Sequence, residues 1–334
     1  MHQVKSRIGR IAASLAVTGA VLLCANAVQA QGKYPERAVR LIVPFPPGGQ
    51  TDNVSRLLTV KISPILGQQL VIDNRGGAAG TLGSGEVARA KPDGYTLLMA
   101  TTSTHALSPI AMANVPYDPV KDFAPITVIG TGPIAVSVHP SVPAKTLRQL
   151  VNDAKSHPGA YSYGSSGVAS INNLAGELLK MRAGNLQILH VPYKGAGPAL
   201  AELVGGQIPM ACTTLSGALP HHRSGRVRTL AIMKEERSKG APDIPTTGEG
   251  GVPGAIAYTY NILLAPAGTP RSTVDYLSGA MHKVMTDSSL IGALVKLGVE
   301  PVTDSNPDKA AAMLKTEFDK WAPLIKSLGL GKKE

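Results

Sequence analysis

The chain has 334 residues and a formal charge of +11, with 33 Lys and Arg against 22 Asp and Glu. That length accommodates two compact units of roughly 100–200 residues each, and 36 Gly with 26 Pro beside 4% aromatics argue for a loop-rich α/β chain and against a disordered one. The basic residues are scattered, without a dense run or interleaved aromatics, which favours small anions over a nucleic-acid partner.

Residues 1–30 read as a secretory signal. Lys5, Arg7 and Arg10 form its basic start, residues 11–25 its apolar run, and Val28-Gln29-Ala30 a small-x-Ala cleavage pattern. The apolar run is shorter than the ~20 residues of a spanning helix, and Val21-Leu22-Leu23 before Cys24 is not the small-residue pattern of a lipoprotein. Removing the signal lowers the charge to +8 and leaves Cys212 as the only thiol, so no intrachain disulfide is expected and Cys212 reads as a buried structural cysteine. His105, His139 and His190 lack Cys or acidic partners at ligand spacing, and the adjacent His221 and His222 cannot share a helical face. No metal or cofactor is therefore expected.

Along the mature chain, residues 39–43 form a β-rich strand and 53–66 a helical pattern, with Val54, Leu57, Leu58, Ile62 and Ile65 on one face and Pro64 expected to bend or shorten it. A strand at 70–73, a glycine turn at 74–80, a helix at 81–90 and a strand at 96–100 follow. That strand enters the polar run Thr101-Thr102-Ser103-Thr104-His105. The middle repeats the rhythm: strand 134–138, a helix at 146–156 capped by Thr146, strand 161–163, and the loop Gly164-Ser165-Ser166-Gly167. Next come helix 171–181, strand 188–191, loop 192–195, helix 198–204, strand 208–212, loop 213–217 and strand 227–233. After the loop-rich span 239–254, a strand at 261–264 leads into C-terminal helices ending near residue 328. Alternating strands and helices predict parallel sheets with right-handed crossovers.

The glycine- and hydroxyl-rich loops all fall at the C-terminal ends of strands, the edge where open α/β sheets bind ligands. The stretch Ile42 to Asn53 reads as strand, glycine loop and helix start, which points free N–H groups and a positive dipole end above the strand. On spacing alone, Pro46-Pro47-Gly48-Gly49 is either an anion site or plain turn punctuation. It is neither a P-loop nor Gly-x-Gly-x-x-Gly. Two sheets facing one another would gather the Gly48, Thr101, Ser165, Tyr193 and Thr213 loops around one cleft lined by hydroxyls and N–H groups, as a carboxylate requires. Asp52 is either a helix N-cap, a role that Asp52→Asn would preserve with little change in stability, or a ligand contact. Ser165 and Ser166 invite a nucleophile reading, but Val168 stands where Gly-x-Ser-x-Gly needs its last glycine, and the sequence identifies no base partner. Tyr193 reads as a cleft wall or a lobe contact, and Tyr260 as hinge packing or ligand stacking.

The motifs taken together resemble a known family. Val43-Pro44-Phe45-Pro46-Pro47-Gly48-Gly49 with Thr51-Asp52, Asn74-Arg75-Gly76-Gly77-Ala78-Ala79-Gly80, Pro92-Asp93-Gly94-Tyr95-Thr96-Leu97-Leu98, Pro116-Tyr117-Asp118-Pro119-Val120-Lys121-Asp122-Phe123, His190-Val191-Pro192-Tyr193-Lys194-Gly195 and Ala265-Pro266-Ala267-Gly268-Thr269-Pro270 are similar to the Bug family, the periplasmic solute-binding proteins of tripartite tricarboxylate transporters. The likeness covers essentially the whole mature chain. It implies the two-lobed periplasmic-binding-protein fold: two α/β domains joined by two crossing strands near Val128 and Ile262, with the ligand cleft between them. The first lobe would then comprise residues 31–128 and 262–334, and the second residues 129–261.

The resemblance implies one jaw from Pro46, Gly48, Gly49, Gln50, Thr51 and Asp52, and a second from Ser165, Ser166, Gly167, Ala169 and Ser170. Thr101, Thr102, Ser103, His105, Tyr193, Thr213, Thr214 and Tyr260 complete the candidate site. Three departures stand out. Gln50 occupies a position where the family commonly has a third glycine, Ile171-Asn172-Asn173 replaces Ser-Ser-His, and Thr213-Thr214 replaces Asp-Asn. Losing that carboxylate would suit a ligand with a second acid group. The implied function is capture of a di- or tricarboxylate or an aromatic acid in the periplasm, by a monomer that delivers it to membrane transporter subunits. The alternatives are a sensor accessory presenting the acid to a receptor and, third, an enzyme.

Overall fold

Val54, Leu58, Ile62 and Leu66 recur every four residues, and all four are buried along one face of the first long helix. That helix is α1 (Gln50–Leu66), entered from Gly49 in extended conformation and closed by left-handed Gly67, with φ 69°. Pro64 does not end it: the residue lies exposed in the last turn, with only Ile65 and Leu66 following before Gly67 closes the helix. The computed structural model describes residues 34–327, so the signal reading lies outside the described residues. From Ala38 onward the chain forms one unit.

β1 (Val39–Val43) precedes α1 and pairs in parallel with β2 (Leu70–Asn74). After α2 (Thr81–Ala88), β3 (Thr96–Thr101) pairs with the other side of β1, again in parallel. A wide turn at Ser103–Leu107 and the short α3 (Ser108–Ala111) lead to β4 (Phe123–Val138), a strand of 16 residues. The expected strand at 134–138 is only its last portion. Pro125, Gly130, Gly132 and Pro133 read as strand breakers, but the chain carries them through with register shifts at Pro125/Thr127 and Val128/Gly130.

The second stretch contains α4 (Leu147–Ser156), β5 (Tyr161–Ser165), α5 (Ile171–Arg182), β6 (Ile188–Pro192), α6 (Ala196–Val204) and β7 (Met210–Thr214). Thr146 caps α4 as expected, its hydroxyl accepting from the Gln149 N–H at 3.2 Å. The loop expected at 213–217 is corrected: β7 runs to Thr214, and α7 (Leu215–Arg223) starts at once. Pro220 and the paired histidines disguised this helix, but Leu215, Ala218 and Leu219 bury a helical face. β8 (Arg228–Ile232), β9 (Tyr258–Pro266), α8 (Arg271–Met285), α9 (Ser288–Lys296), β10 (Glu300–Pro301) and α10 (Pro307–Ser327) complete the described chain.

The strand order is β2-β1-β3-β9-β4-β7-β5-β6, with β8 and β10 also on β4. β4 is antiparallel to β9 along residues 123–133 and to β7 along residues 134–138, so it passes from one group of parallel strands to the other. Ile42, Leu98, Tyr260, Ile262 and Leu264 form a core on the first side. Val136, Tyr163, Leu174, Met210 and Cys212 form one on the second, and Leu200, Leu203, Leu219 and Ile244 another. α10 serves two of them: Ala310 and Leu314 join the first core, while Trp321 and Ile325 join the second. Each large aliphatic or aromatic side chain so buried contributes about 1.5–3 kcal/mol. Among the described residues, no helix is long and apolar enough to cross a membrane.

Candidate functional site

Parallel strands that each feed a helix leave helix N-termini at one edge of the sheet, and here four of them converge on a single chamber. Gly49, Gln50 and Thr51 bring the start of α1, Ile171 and Asn172 the start of α5, Ala196 the start of α6, and Thr214 the N-cap of α7. Phe45, Thr101, Ser103, Ser166 and Thr259 complete the wall. No Asp, Glu, Lys, Arg or His is among these lining residues. The field inside is therefore set by positive helix ends, N–H groups and hydroxyls, with no side-chain counter-charge, and it favours an anion. In a partly buried setting each such helix end is worth up to about 2 kcal/mol.

The chamber measures about 30 Å³. That exceeds the ~10–15 Å³ one water needs and falls well short of the ~150 Å³ that admits benzene. A carboxylate head group suits its dimensions; a longer acid requires the walls to part.

The polar wall is held in place by bonds between elements. The Ile171 N–H at the start of α5 donates to Ser103 Oγ at 3.0 Å, which joins the end of β3 to that helix. Gln50 Nε2 donates to Asn261 Oδ1 at 2.9 Å, and Ser216 Oγ donates to Gln50 Oε1 at 3.3 Å. Asn172 is buried with its Nδ2 unpartnered among the described residues, a donor whose desolvation costs about 1–3 kcal/mol when unmet.

Of the expected site residues, Gly49, Gln50, Thr51, Thr101, Ser103, Ser166 and Thr214 line the chamber. The others sit behind it. Pro46 packs beside Gly76 and Gly195, and the Gly48 N–H donates to Asp52 Oδ2 at 3.1 Å. Thr102 Oγ1 accepts from the Tyr260 N–H at 3.2 Å, and Tyr260 itself is fully buried in the first core. The Gly167 carbonyl accepts from both Ser165 Oγ and Ser170 Oγ, while left-handed Ala169 donates its N–H to Asn173 Oδ1 at 3.1 Å. Ser170 is the N-cap of α5, accepting from the Asn173 N–H at 3.2 Å. The Tyr193 N–H donates to the Ser165 carbonyl at 3.1 Å, and its ring packs on the core around Leu200. Thr213 is buried on β7, its hydroxyl unpartnered among the described residues. His105 is buried between Tyr117 and Phe123, with Nδ1 2.9 Å from Thr104 Oγ1; burial lowers its pKa to about 3.

Two expectations need correction. Asp52 is not an N-cap: Gly49 holds that position without any side-chain bond. Instead Asp52 is the third helical residue. One oxygen accepts from the Gly48 N–H and Arg56 Nε, and the other from Arg56 Nη2 and Asn74 Nδ2. It pins the glycine loop to β2 and α1. Ser165 does have a basic neighbour, His190 Nε2 at 2.7 Å, brought alongside by the parallel register of β5 and β6. Ser165 Oγ is nonetheless buried, engages both the N–H and the carbonyl of Gly167, and is not among the lining residues. Phe45, Ile171, Asn172, Ala196 and Thr259 were not among the expected site residues. Positions 171 and 172 carried a signal as part of a departure from the family pattern, and Phe45 as part of the first motif, while Ala196 and Thr259 carried none.

Residues 54–330 match the family described as tripartite tricarboxylate transporter family receptor. The structure of periplasmic binding protein BugD is 33% identical, superposes with a TM-score of 0.86, and is covered over 90% of this chain and 100% of that one. An R. palustris protein solved with adipate shares 33% identity at a TM-score of 0.86, covering 90% and 99%. MatC from Rhodopseudomonas palustris, solved with bound malate, shares 32% at 0.83, covering 87% and 100%. The resemblance read from the motifs is borne out, and the fold is the periplasmic-binding-protein α/β fold.

Proposed function

The chain belongs to the tripartite tricarboxylate transporter receptor family, and from that premise we propose that it captures a small organic carboxylate in the periplasm and delivers it to a membrane transporter of the tripartite type. The observation that carries this reading is a chamber at four helix N-termini without a charged side chain among its lining residues. One carboxylate of the ligand takes the place of water there. It accepts hydrogen bonds from first-turn N–H groups of α1, from Asn172 Nδ2 at the start of α5 and from hydroxyls such as Thr51, Ser166 and Thr214, each charge-assisted bond contributing about 1.5–3 kcal/mol. Uncharged donors bind an anion without first breaking an ion pair, so the gain is offset by desolvation of the acid and of the donors and by no lost internal pairing.

The two lobes in this reading are residues up to 128 with those from 262 onward, and residues 129–261. They part and close about β4 and β9, which admits an acid larger than the closed chamber. The adipate and malate bound by relatives support aliphatic dicarboxylates as the first class to test. No covalent step is required, and the buried Ser165–His190 contact stiffens the β5–α5 loop instead of attacking a substrate.

A thermal-shift screen of the mature protein against aliphatic, aromatic and tricarboxylic acids tests the proposal. A bound acid at 100 times its dissociation constant adds about 2.7 kcal/mol of stability. A screen flat across all acids, with shifts only for sugars or nucleotides, sinks the carboxylate reading.

A further inference from the structure

Gln50 is the one long polar side chain of α1's first turn that faces the chamber, and it is held from three directions. Its Nε2 donates to Asn261 Oδ1 on β9 at 2.9 Å, and its Oε1 accepts from Ser216 Oγ on α7 at 3.3 Å. Its carboxamide lies directly on Gly132 of β4, where an added Cβ would stand 2.0 Å from Oε1 and 2.7 Å from Cδ. Gly132 is not at a left-handed backbone position. Its missing side chain therefore serves space alone: it makes the seat for the amide.

An amide that meets three elements of the opposite lobe returns to one position each time the lobes close on a ligand. It occupies volume that a ligand chain would otherwise use, leaving the chamber at about 30 Å³. From this we infer that Gln50, seated on Gly132, is the length gauge of the site, setting how many carbons separate the anchored carboxylate from the ligand's far end. The inference rests on the carboxylate reading above and adds the residue that selects among acids.

The test is calorimetry of the wild-type protein and Gln50→Gly with unbranched dicarboxylates from malonate to suberate. The wild type is expected to bind a short acid most tightly, and Gln50→Gly to move the optimum two or more methylenes longer. Each newly buried methylene is worth about fourfold in affinity, so the ratio of longer to shorter acid rises about fifteenfold. An unchanged length profile with uniformly weaker binding overturns the gauge alone; a wild type that binds none of the series overturns the carboxylate reading and the gauge together. Gln50→Ala, a better helix former, repeats the series in case glycine loosens α1.

A second variant accompanies it. Gly132→Ala is expected to weaken binding of the short acid in the wild-type background, where its methyl collides with the Gln50 amide once the lobes close, and to leave affinity unchanged alongside Gln50→Gly. An equal loss in both backgrounds means that the amide does not sit on Gly132, and overturns the inference.

Discussion

Replacing Gly197 by alanine separates movement from static packing. Gly197 is the second residue of α6, and a Cβ there would stand 2.2 Å from the Pro47 carbonyl oxygen, with Gly48 Cα at 3.7 Å. Ordinary contact begins near 3.4 Å, so the loop before α1 and the start of α6 must separate by about 1 Å. A backbone carbonyl has no rotamer by which to escape. Overpacking of this kind costs about 1–3 kcal/mol, which converts to a loss of ligand affinity between about fivefold and 150-fold if the contact exists only when the lobes are shut. With the lobes apart, alanine in a helical turn is up to about 1 kcal/mol better than glycine. Gly197→Ala should therefore keep or raise the Tm of the ligand-free protein while weakening binding of the acid found in the screen, read by differential scanning fluorimetry and calorimetry. A variant that loses 1–3 kcal/mol without ligand and binds with unchanged affinity refutes the reasoning, because the contact would then be permanent packing.

Two further predictions follow from charge. His105 has its pKa lowered to about 3 by burial, against 6.5 unperturbed, so the unfolded chain takes up a proton that the folded chain refuses. Stability is then full above about pH 6.5 and is lost as pH falls toward 3, by about 2 kcal/mol at pH 5; the lowered His190 and His221 act with the same sign. Thermal melts at pH 8, 6 and 5 check this, with a flatter profile expected for His105→Gln, and parallel profiles for the two proteins would contradict it. Asp52→Asn exchanges an oxygen acceptor for an amide donor that faces N–H groups of Gly48, Arg56 or Asn74. It should cost about 1–3 kcal/mol in urea denaturation, and an unchanged midpoint would restore the simple capping role.

Local signals were legible wherever periodicity and turn chemistry agreed. The helix over 147–156 with its threonine cap, the strand at 39–43 and the glycine loops at strand ends all follow from short-range rules. β4 hid its length because its prolines and glycines are tolerated only by register shifts against β9, and pairing across more than 120 residues leaves no local mark. Asp52 was misread because glycine took the cap and the carboxylate turned to partners as far away as Asn74. In the site, the residues with recognisable loop chemistry were found, while Ala196 and Ile171 were not. They matter for where their helices begin, and a methyl group or a butyl chain announces nothing of that.

The C-terminal helix has a mechanical consequence. α10 has one end in the core around Leu98 and the other in the core around Val136, so if the two halves part about β4 and β9, it can travel with only one of them. The core of Trp321 and Ile325 also holds Ala106 and Leu107, from the half that carries α10 itself, so parting exposes at most part of these two side chains, each worth about 1.5–3 kcal/mol when fully stripped. To that extent the helix acts as a strap that biases the molecule shut. How long an acid stays aboard would then be governed by undocking at the chain's far end as much as by the bonds that hold it in the chamber.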